Sequence, residues 1–218
     1  MNVVFAETNT DLIFIFDDVL ENECLETINN YNWSLLNWFR QREHGMIRGY
    51  LFRDGDSIFP TFLETLKLLA LKNLQTKDNT ATIADVYSYY IGLAVKDDKI
   101  YHRPDIHADC AGPGGRWSCL YHLQGDSSSG PTTFYNNTVN KKIIKSVEFK
   151  PNRLIIFPSI YQHQGSIPED GKERMIINIS LWFDTKLNKD ILKNSPNLQK
   201  EYQKYYINAS DDNLLQPL

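Results

Sequence analysis

The centre of the chain is a succession of short runs rich in β-branched and aromatic residues, separated by Gly, Pro, Asn and Ser. Such runs favour strands, and their separators favour turns. The predicted strands cover residues 81–91, 116–124, 132–135, 143–149, 154–157 and 175–183. This pattern predicts a mainly β fold. The 218 residues, 42% of them hydrophobic, suffice for a single domain with a buried core.

Helical patterns flank this central region. Upstream, residues 11–16 predict a strand, and residues 22–31 and 60–73 predict helices, the second opened by Ser57 or Pro60. Both helices need an apolar surface to cover, so we expect them to pack on one sheet. Downstream, residues 185–218 predict a charged helical extension. Its stretch 188–206 is expected either to cap one end of the fold or to mediate homodimerisation.

The predicted strand from Arg174 to Leu181 separates into two different faces. One face is uniformly apolar and consists of Met175, Ile177, Ile179 and Leu181. The other carries Arg174, Ile176, Asn178 and Ser180. Successive side chains of a strand point to opposite sides, so we expect the first face beneath the N-terminal helices and the second lining a ligand-holding interior. Strand 116–124 behaves alike, with Ser118, Leu120 and His122 on the interior face.

Two histidines and an aspartate have a spacing typical of a metal site. His107 and Asp109 are two residues apart, which on a strand places both side chains on one face. His163 follows after a gap of about four strands and their turns, the length a β-roll needs to return beside its starting strand. Two histidines and one carboxylate with open positions opposite suit non-haem Fe(II) enzymes that activate dioxygen. Arg174 would hold a carboxylate-bearing co-substrate.

Composition restricts the partners and the compartment. The net charge is −4 and no block of Lys or Arg occurs, so nucleic acid is not favoured as a partner. The first residues have no basic leader, and no stretch stays apolar for the ~20 residues of a membrane span. Three cysteines without a C-x-x-C pair argue against a disulfide framework. We therefore expect a cytoplasmic protein without a membrane partner.

Six motifs follow one another in a fixed order along about residues 82–184. They are His107-x-Asp109, Trp117-Ser-Cys-Leu-Tyr-His-Leu123, Ser129-Gly-Pro-Thr-Thr-Phe134, Pro151-Asn-Arg-Leu-Ile-Ile-Phe157, His163-Gln-Gly165 and Arg174. This order resembles the catalytic core of the Fe(II)/2-oxoglutarate-dependent dioxygenases, in particular the prolyl-4-hydroxylase-like branch.

The resemblance implies a double-stranded β-helix, or jelly roll, and a role for each motif. It implies Fe(II) ligands at His107, Asp109 and His163, and an Arg174 that pairs with the distal carboxylate of 2-oxoglutarate. His122 stands where the prolyl-hydroxylase type often has a tyrosine that binds the co-substrate, and an imidazole N–H could serve the same carboxylate. Asn178 and Leu120 are further candidate co-substrate contacts.

The implied reaction is hydroxylation of an unactivated C–H bond with release of succinate and carbon dioxide. Its co-substrates would be 2-oxoglutarate and dioxygen, and ascorbate is a further candidate cofactor. The sequence does not choose between a small-molecule and a peptidyl substrate.

Two other functional classes remain open from the sequence. A cupin-like metal enzyme that does not use 2-oxoglutarate would more naturally show paired histidines than His-x-Asp. A catalytically silent β-roll that serves as a binding module would bind metal, if at all, without turnover. Turnover of 2-oxoglutarate separates the first class from the leading hypothesis.

Overall fold

Antiparallel strands are the main secondary structure of the computed structural model. The structure describes residues 8–30, 38–41, 46–50, 52–53, 56–57, 60–95, 106–109, 116–136, 141–166, 168–169 and 172–193. The strands are β1 (Phe14–Phe16), β2 (Trp38–Gln41), β3 (Met46–Tyr50), β4 (Phe52–Arg53), β5 (Asp56–Ser57), β6 (Thr82–Val95), β7 (Arg116–Gln124), β8 (Thr132–Tyr135), β9 (Ile143–Val147), β10 (Arg153–Pro158), β11 (His163–Gly165) and β12 (Glu173–Asp184). The helices are α1 (Asn22–Asn29), α2 (Pro60–Gln75) and α3 (Leu187–Lys193).

Among the described residues, seven strands form a major sheet in the order β1-β10-β7-β12-β6-β3-β2. A minor sheet has the order β11-β8-β9, and β4 pairs with β5. Strands β7 and β12 lie at the centre of the major sheet, and almost all of their residues are buried. The four strands from β7 to β10 lie between Asp109 and His163, as the sequence predicts. The predicted mainly β jelly-roll architecture is confirmed.

The two faces of β12 are divided as the residue alternation predicts. Met175, Ile177, Ile179 and Leu181 are buried in one hydrophobic core with residues of helix α2, namely Leu63, Leu66, Ala70 and Leu74. On β7, the residues Trp117, Cys119, Tyr121 and Leu123 belong to the same core. The opposite faces of β7 and β12 carry the polar residues. The register pairs Ser118 with Ser180, Leu120 with Asn178 and His122 with Ile176, and directly paired residues share a face.

Several predicted elements differ from the structure. Residues 11–16 are not one strand, because Thr10–Leu12 forms a 3-10 turn capped by the Asn9 side chain and the strand comprises only Phe14–Phe16. The first helix ends at Asn29 and the second continues to Gln75. The sequence pattern predicts no element between residues 31 and 60, where the structure has β2 to β5. In the C-terminal extension, α3 spans Leu187–Lys193, and residues 194–218 lie outside the described part of the chain.

Within the described residues, none of the helices combines the length and the apolar character that crossing a bilayer requires. α2, the longest of them, has an apolar face that belongs to the protein core.

A buried carboxylate links α2 to the end of β12. Asp78 is fully buried and accepts hydrogen bonds from Thr185 Oγ1 at 2.6 Å and from the Lys186 backbone N–H at 2.8 Å. Thr80 donates from its hydroxyl at 2.7 Å and from its N–H at 3.1 Å. Burial alone would raise the pKa of Asp78, but these hydrogen bonds outweigh it and hold the pKa well below its usual value.

Replacing Asp78 by alanine is expected to lower the free energy of unfolding by about 3 kcal/mol, because several buried donors lose their charged acceptor. The folded-state pKa is depressed, so the stabilisation is present above about pH 4, the unfolded value, and is lost as the pH falls below it. Urea denaturation of wild type and Asp78→Ala between pH 3 and pH 7 measures both effects. The exposed Asp184→Ala is the control; an equal loss in that variant would contradict the prediction.

Candidate metal centre

His107 and His163 face each other across an antiparallel bridge. The N–H of each residue donates to the carbonyl of the other, at 3.0 Å from His107 and at 2.8 Å from His163. Residues that exchange both hydrogen bonds in this way are directly opposite and project their side chains to the same face. The two imidazole centroids are accordingly 4.6 Å apart. The bridge adds the His107 segment to the edge of the minor sheet beside β11.

Asp109 completes a three-residue cluster. Its Oδ1 lies 3.6 Å from His107 Nε2, and its Oδ2 lies 3.8 Å from His163 Nε2. One ligand atom of each residue lies within 4.8 Å of the others, a spacing that suits a single shared cation. Two imidazoles and a carboxylate are the donor set expected for Fe(II) in a non-haem oxygenase.

The protonation of the cluster also suits a metal. His163 Nδ1 lies 3.0 Å from the Tyr161 carbonyl, which only accepts hydrogen bonds, so Nδ1 carries the proton and Nε2 keeps its lone pair. Burial is the main cause that lowers the pKa of His163, to about 4, and favours the neutral ring that binds metals. Burial by itself would raise the pKa of Asp109, but His163, His107 and the Ser118 hydroxyl outweigh it and hold the pKa well below its usual range. Both protonation states are those that a divalent cation requires.

The second oxygen of Asp109 is held by neighbouring strands. Ser118 Oγ on β7 donates to Asp109 Oδ2 at 2.5 Å, and Asn178 Nδ2 on β12 lies 3.4 Å from the same oxygen. Ser118 Oγ is also 2.9 Å from Ser159 Oγ. The aspartate is therefore oriented by side chains from the interior face of the major sheet.

Arg174 lies at the opposite end of this interior face. Only 2% of its surface is exposed, and its Nη2 donates to Thr132 Oγ1 at 2.7 Å. The guanidinium carbon lies 5.7 Å from the ring centroid of Phe149, within the range of a cation–π contact. Gly165 leaves room for this side chain, because a Cβ there would lie 2.7 Å from Arg174 Nη1.

His122 is fully buried near Arg174. Its ring stacks on Phe149 with centroids 4.3 Å apart, and its Nδ1 accepts a hydrogen bond from the Lys150 N–H at 3.2 Å. Burial, followed by the charge of Arg174, lowers the pKa of His122 to about 2, so the ring is neutral and Nε2 carries its proton. That N–H makes no hydrogen bond with the residues the structure describes. It is a buried donor available to an acceptor from outside the chain.

Four strands connect the metal cluster to Arg174, and each contributes a residue to both ends. The pairs are Ser118 and His122 on β7, Phe134 and Thr132 on β8, His163 and Gly165 on β11, and Asn178 and Arg174 on β12. Asn178 and Arg174 are four residues apart, or roughly 13 Å along a strand. The interior between the two sheets thus has the His107, Asp109 and His163 cluster at one end and the Arg174 guanidinium at the other.

The structure brings the predicted site residues together, with one difference in the backbone. The sequence predicts His107 and Asp109 on one strand, which is wrong: His107 forms an isolated bridge and Asp109 lies in a bend. Their ligand atoms converge nevertheless. Leu120 lies between Ser118 and His122 on the interior face, and Asn178, expected as a co-substrate contact, lies beside Asp109. His44, His102 and Cys110 lie outside the described residues.

Sequence reasoning missed three contributors to the site. Thr132 and Gly165 were each part of a noted motif, and strand alternation from Phe134 and His163 would have placed both on the interior face. Ser159 follows β10 in a turn, and no periodic signal marks its contact with Ser118.

Comparison with known proteins supports the fold. No protein-family model and no curated protein matches the chain. Among solved structures, a 2OG-Fe(II) oxygenase family oxidoreductase from Burkholderia pseudomallei aligns at TM-score 0.61 and 11% identity, over 79% of this chain and 85% of that one. A prolyl hydroxylase from Trichoplax adhaerens, in complex with a peptide fragment of the hypoxia-inducible factor oxygen degradation domain, aligns at TM-score 0.56 and 16% identity, over 84% and 87%.

A third structure carries both implied cofactors. The epimerase SnoN in complex with Fe3+, alpha-ketoglutarate and nogalamycin RO aligns at TM-score 0.57 and 12% identity, over 81% of this chain and 82% of that one. The structural neighbours are thus 2OG-Fe(II) oxygenases that include a prolyl hydroxylase. The resemblance seen in the sequence motifs is confirmed at the level of structure: the chain has the jelly-roll fold of the Fe(II)/2-oxoglutarate-dependent oxygenases.

Proposed function

We propose that this protein is an Fe(II)- and 2-oxoglutarate-dependent oxygenase that hydroxylates an unactivated C–H bond and releases succinate and carbon dioxide. The observation that carries the proposal is one interior, lined by strands of both sheets, with the His107, Asp109 and His163 cluster at one end and the buried Arg174 at the other. A simple metal-binding jelly roll does not need that second, cationic end. The cupin-like and silent-module alternatives leave Arg174 without a role.

Each group of the site has a part in the proposed reaction. His107, Asp109 and His163 would hold Fe(II), which when bound supplies the dioxygen chemistry that couples oxidative decarboxylation of 2-oxoglutarate to oxidation of the substrate. Arg174 would bind the distal carboxylate through its planar fork, and Thr132 fixes the fork in place. The His122 N–H would donate to the same carboxylate. Leu120 and the aromatic rings of Phe134 and Phe157 exclude water from the interior.

Residues 1–218 would form one domain, with its catalytic core at about residues 82–184. Its substrate is a small molecule or a peptidyl group, for which the peptide-bound prolyl hydroxylase neighbour is a precedent. The cytoplasmic location, the homodimer and an accessory role for ascorbate stay predictions of the sequence.

The first test is spectroscopic and needs no substrate. Fe(II) and 2-oxoglutarate are added to the anaerobic protein, and the visible charge-transfer band of the chelate is recorded. We expect a band that is absent in His107→Ala and weaker in Arg174→Ala. No band at saturating metal and co-substrate would overturn the proposal. Succinate release with candidate substrates, together with the product mass, then distinguishes hydroxylation from another outcome.

Gly165→Ala offers a separate test of the cationic end. The added Cβ would clash with Arg174 Nη1, and Thr132 and Phe149 on its other sides restrict where the guanidinium moves. We expect the apparent KM for 2-oxoglutarate to rise about tenfold, the effect of losing one charge-assisted hydrogen bond. Fe(II) affinity should change little. Steady-state succinate assays and metal titrations measure the two quantities, and a loss confined to metal affinity would contradict the expectation.

A further inference from the structure

Two buried serines connect the aspartate of the candidate metal centre to the core of the major sheet. We propose that Ser118, supported by Ser159, is a positioning residue that keeps Asp109 a one-oxygen ligand of the metal. This inference rests on the proposed function and assigns a part of the site outside the metal and co-substrate contacts themselves.

The direction of the hydrogen bonds follows from what each group can donate. The Asp109 carboxylate only accepts when it is ionised, so Ser118 Oγ gives its one proton to Asp109 Oδ2. The 2.9 Å contact between the two hydroxyl oxygens must then be donated by Ser159. The chain of donors therefore runs from Ser159 to Ser118 to Asp109. Hydrogen bonds in such a chain polarise and strengthen one another.

The backbone around both serines is fixed. Ser118 lies in β7, paired on one side with Ser180 of β12 and on the other with Phe157 of β10. The Ser159 N–H donates to the Arg116 carbonyl at 3.0 Å, which holds the end of β10 against the start of β7. Both serines are at most 1% exposed, so water does not compete for their hydroxyls. Asp109, in contrast, lies in a bend outside the strands, and its orientation depends on these contacts.

The hydrogen bonds to Asp109 Oδ2 would determine how many coordination positions of a bound metal stay open. Ser118 and Asn178 both contact Oδ2, which leaves Oδ1 as the oxygen available to a metal. Carboxylates otherwise bind cations through one oxygen or through two. Fe(II) held by one atom from each of His107, Asp109 and His163 would keep open positions for 2-oxoglutarate and dioxygen, both of which the proposed reaction needs. A second oxygen from Asp109 would occupy a position that one of these co-substrates needs.

Metal affinity tests the inference without relying on activity. We would titrate the apo-protein with Mn(II), following the free ion by electron paramagnetic resonance, and then titrate the Mn(II)-saturated protein with 2-oxoglutarate by calorimetry. Ser118→Ala is expected to weaken Mn(II) binding about tenfold, the lower end of what losing a hydrogen bond to a metal ligand costs. Its affinity for 2-oxoglutarate should fall as well. Ser159→Ala should show a smaller loss of the same kind.

Cys119→Ala is the matched control, because Cys119 is a buried neighbour of Ser118 on β7 whose side chain lies in the hydrophobic core on the opposite face. We expect it to bind both ligands as wild type does. If Ser118→Ala fails to fold by circular dichroism, Ser159→Ala decides the matter alone. Wild-type affinities in the Ser118→Ala and Ser159→Ala proteins, or an equal loss in Cys119→Ala, would overturn the inference and leave the proposed function intact. A wild-type protein that binds no Mn(II) would instead overturn the proposed function itself.

Discussion

Replacing His163 by alanine is expected to abolish turnover and to weaken Fe(II) binding by more than about a hundredfold. Removing even an outer contact of a metal ligand typically costs ten- to a hundredfold in affinity, and here a ligand itself is lost. The structure gives His163 no substitute. Its ring is 4% exposed and is enclosed by Phe134 and Phe157, so water reaches the vacated position poorly. Metal titration of the purified variant and an assay of succinate release measure the two effects.

The neighbouring Gln164 provides a control for this substitution. It lies on the opposite face of β11, where its Oε1 accepts a hydrogen bond from the Tyr135 hydroxyl at 2.8 Å. Gln164→Ala removes a buried polar side chain next to the same backbone and should lower stability while leaving Fe(II) affinity unchanged. Wild-type Fe(II) affinity in His163→Ala, or an equal loss in Gln164→Ala, would show that the cluster is not the metal site.

Replacing Arg174 by lysine should raise the apparent KM for 2-oxoglutarate by about ten- to a hundredfold while leaving Fe(II) affinity near that of wild type. Lysine keeps the positive charge but loses the planar pair of donors that a carboxylate binds with two hydrogen bonds. Hydrogen bonds to charged groups contribute about 1.5–3 kcal/mol each, which corresponds to this range. The hydroxyl of Thr132 would also lose its donor. Initial rates of succinate formation against 2-oxoglutarate concentration give the result.

Arg153→Lys is the corresponding conservative control. Arg153 likewise lies near the start of a strand of the major sheet, but its guanidinium pairs with Asp17, with Nε 2.6 Å and Nη2 3.0 Å from the two carboxylate oxygens. We expect a modest effect on stability and none on the KM for 2-oxoglutarate. An unchanged KM in Arg174→Lys would remove the main reason to prefer a 2-oxoglutarate enzyme over a cupin-like one.

The sequence predicted the architecture well where hydrophobic alternation was strong. β7 and β8 begin and end at the predicted residues, and the two faces of β12 were assigned correctly from alternation alone. β2 and β3 were missed because residues 38–41 and 46–50 mix two arginines, a glutamine and a glycine with their apolar residues, so no period stands out. Their pairing is set by tertiary contact, since β3 hydrogen-bonds to β6.

The site residues were predictable as a set, but their contacts were not. The order and spacing of His107, Asp109, His163 and Arg174 predict that these residues converge, and a polar residue on the inner face of a buried strand indicates a ligand-facing position. Sequence alone does not show that a bend, rather than a strand, presents Asp109, because three residues are too few for a periodic signal. It also does not show that Gly165 is small because Arg174 fills the adjacent space.

The bridge between His107 and His163 would link metal binding to the stability of the minor sheet at its edge. His163 belongs to a strand paired along its length with β8, whereas His107 is attached to the minor sheet through the two hydrogen bonds of a single bridge. A cation bound by both histidines would act as a cross-link that favours the paired state of that edge, since a ligand that binds one conformation shifts the equilibrium toward it. Amide hydrogen exchange at His107 should therefore slow when Mn(II) is added and recover with a chelator. The metal would then stabilise the pairing of the His107 segment with β11, in addition to its part in the proposed reaction.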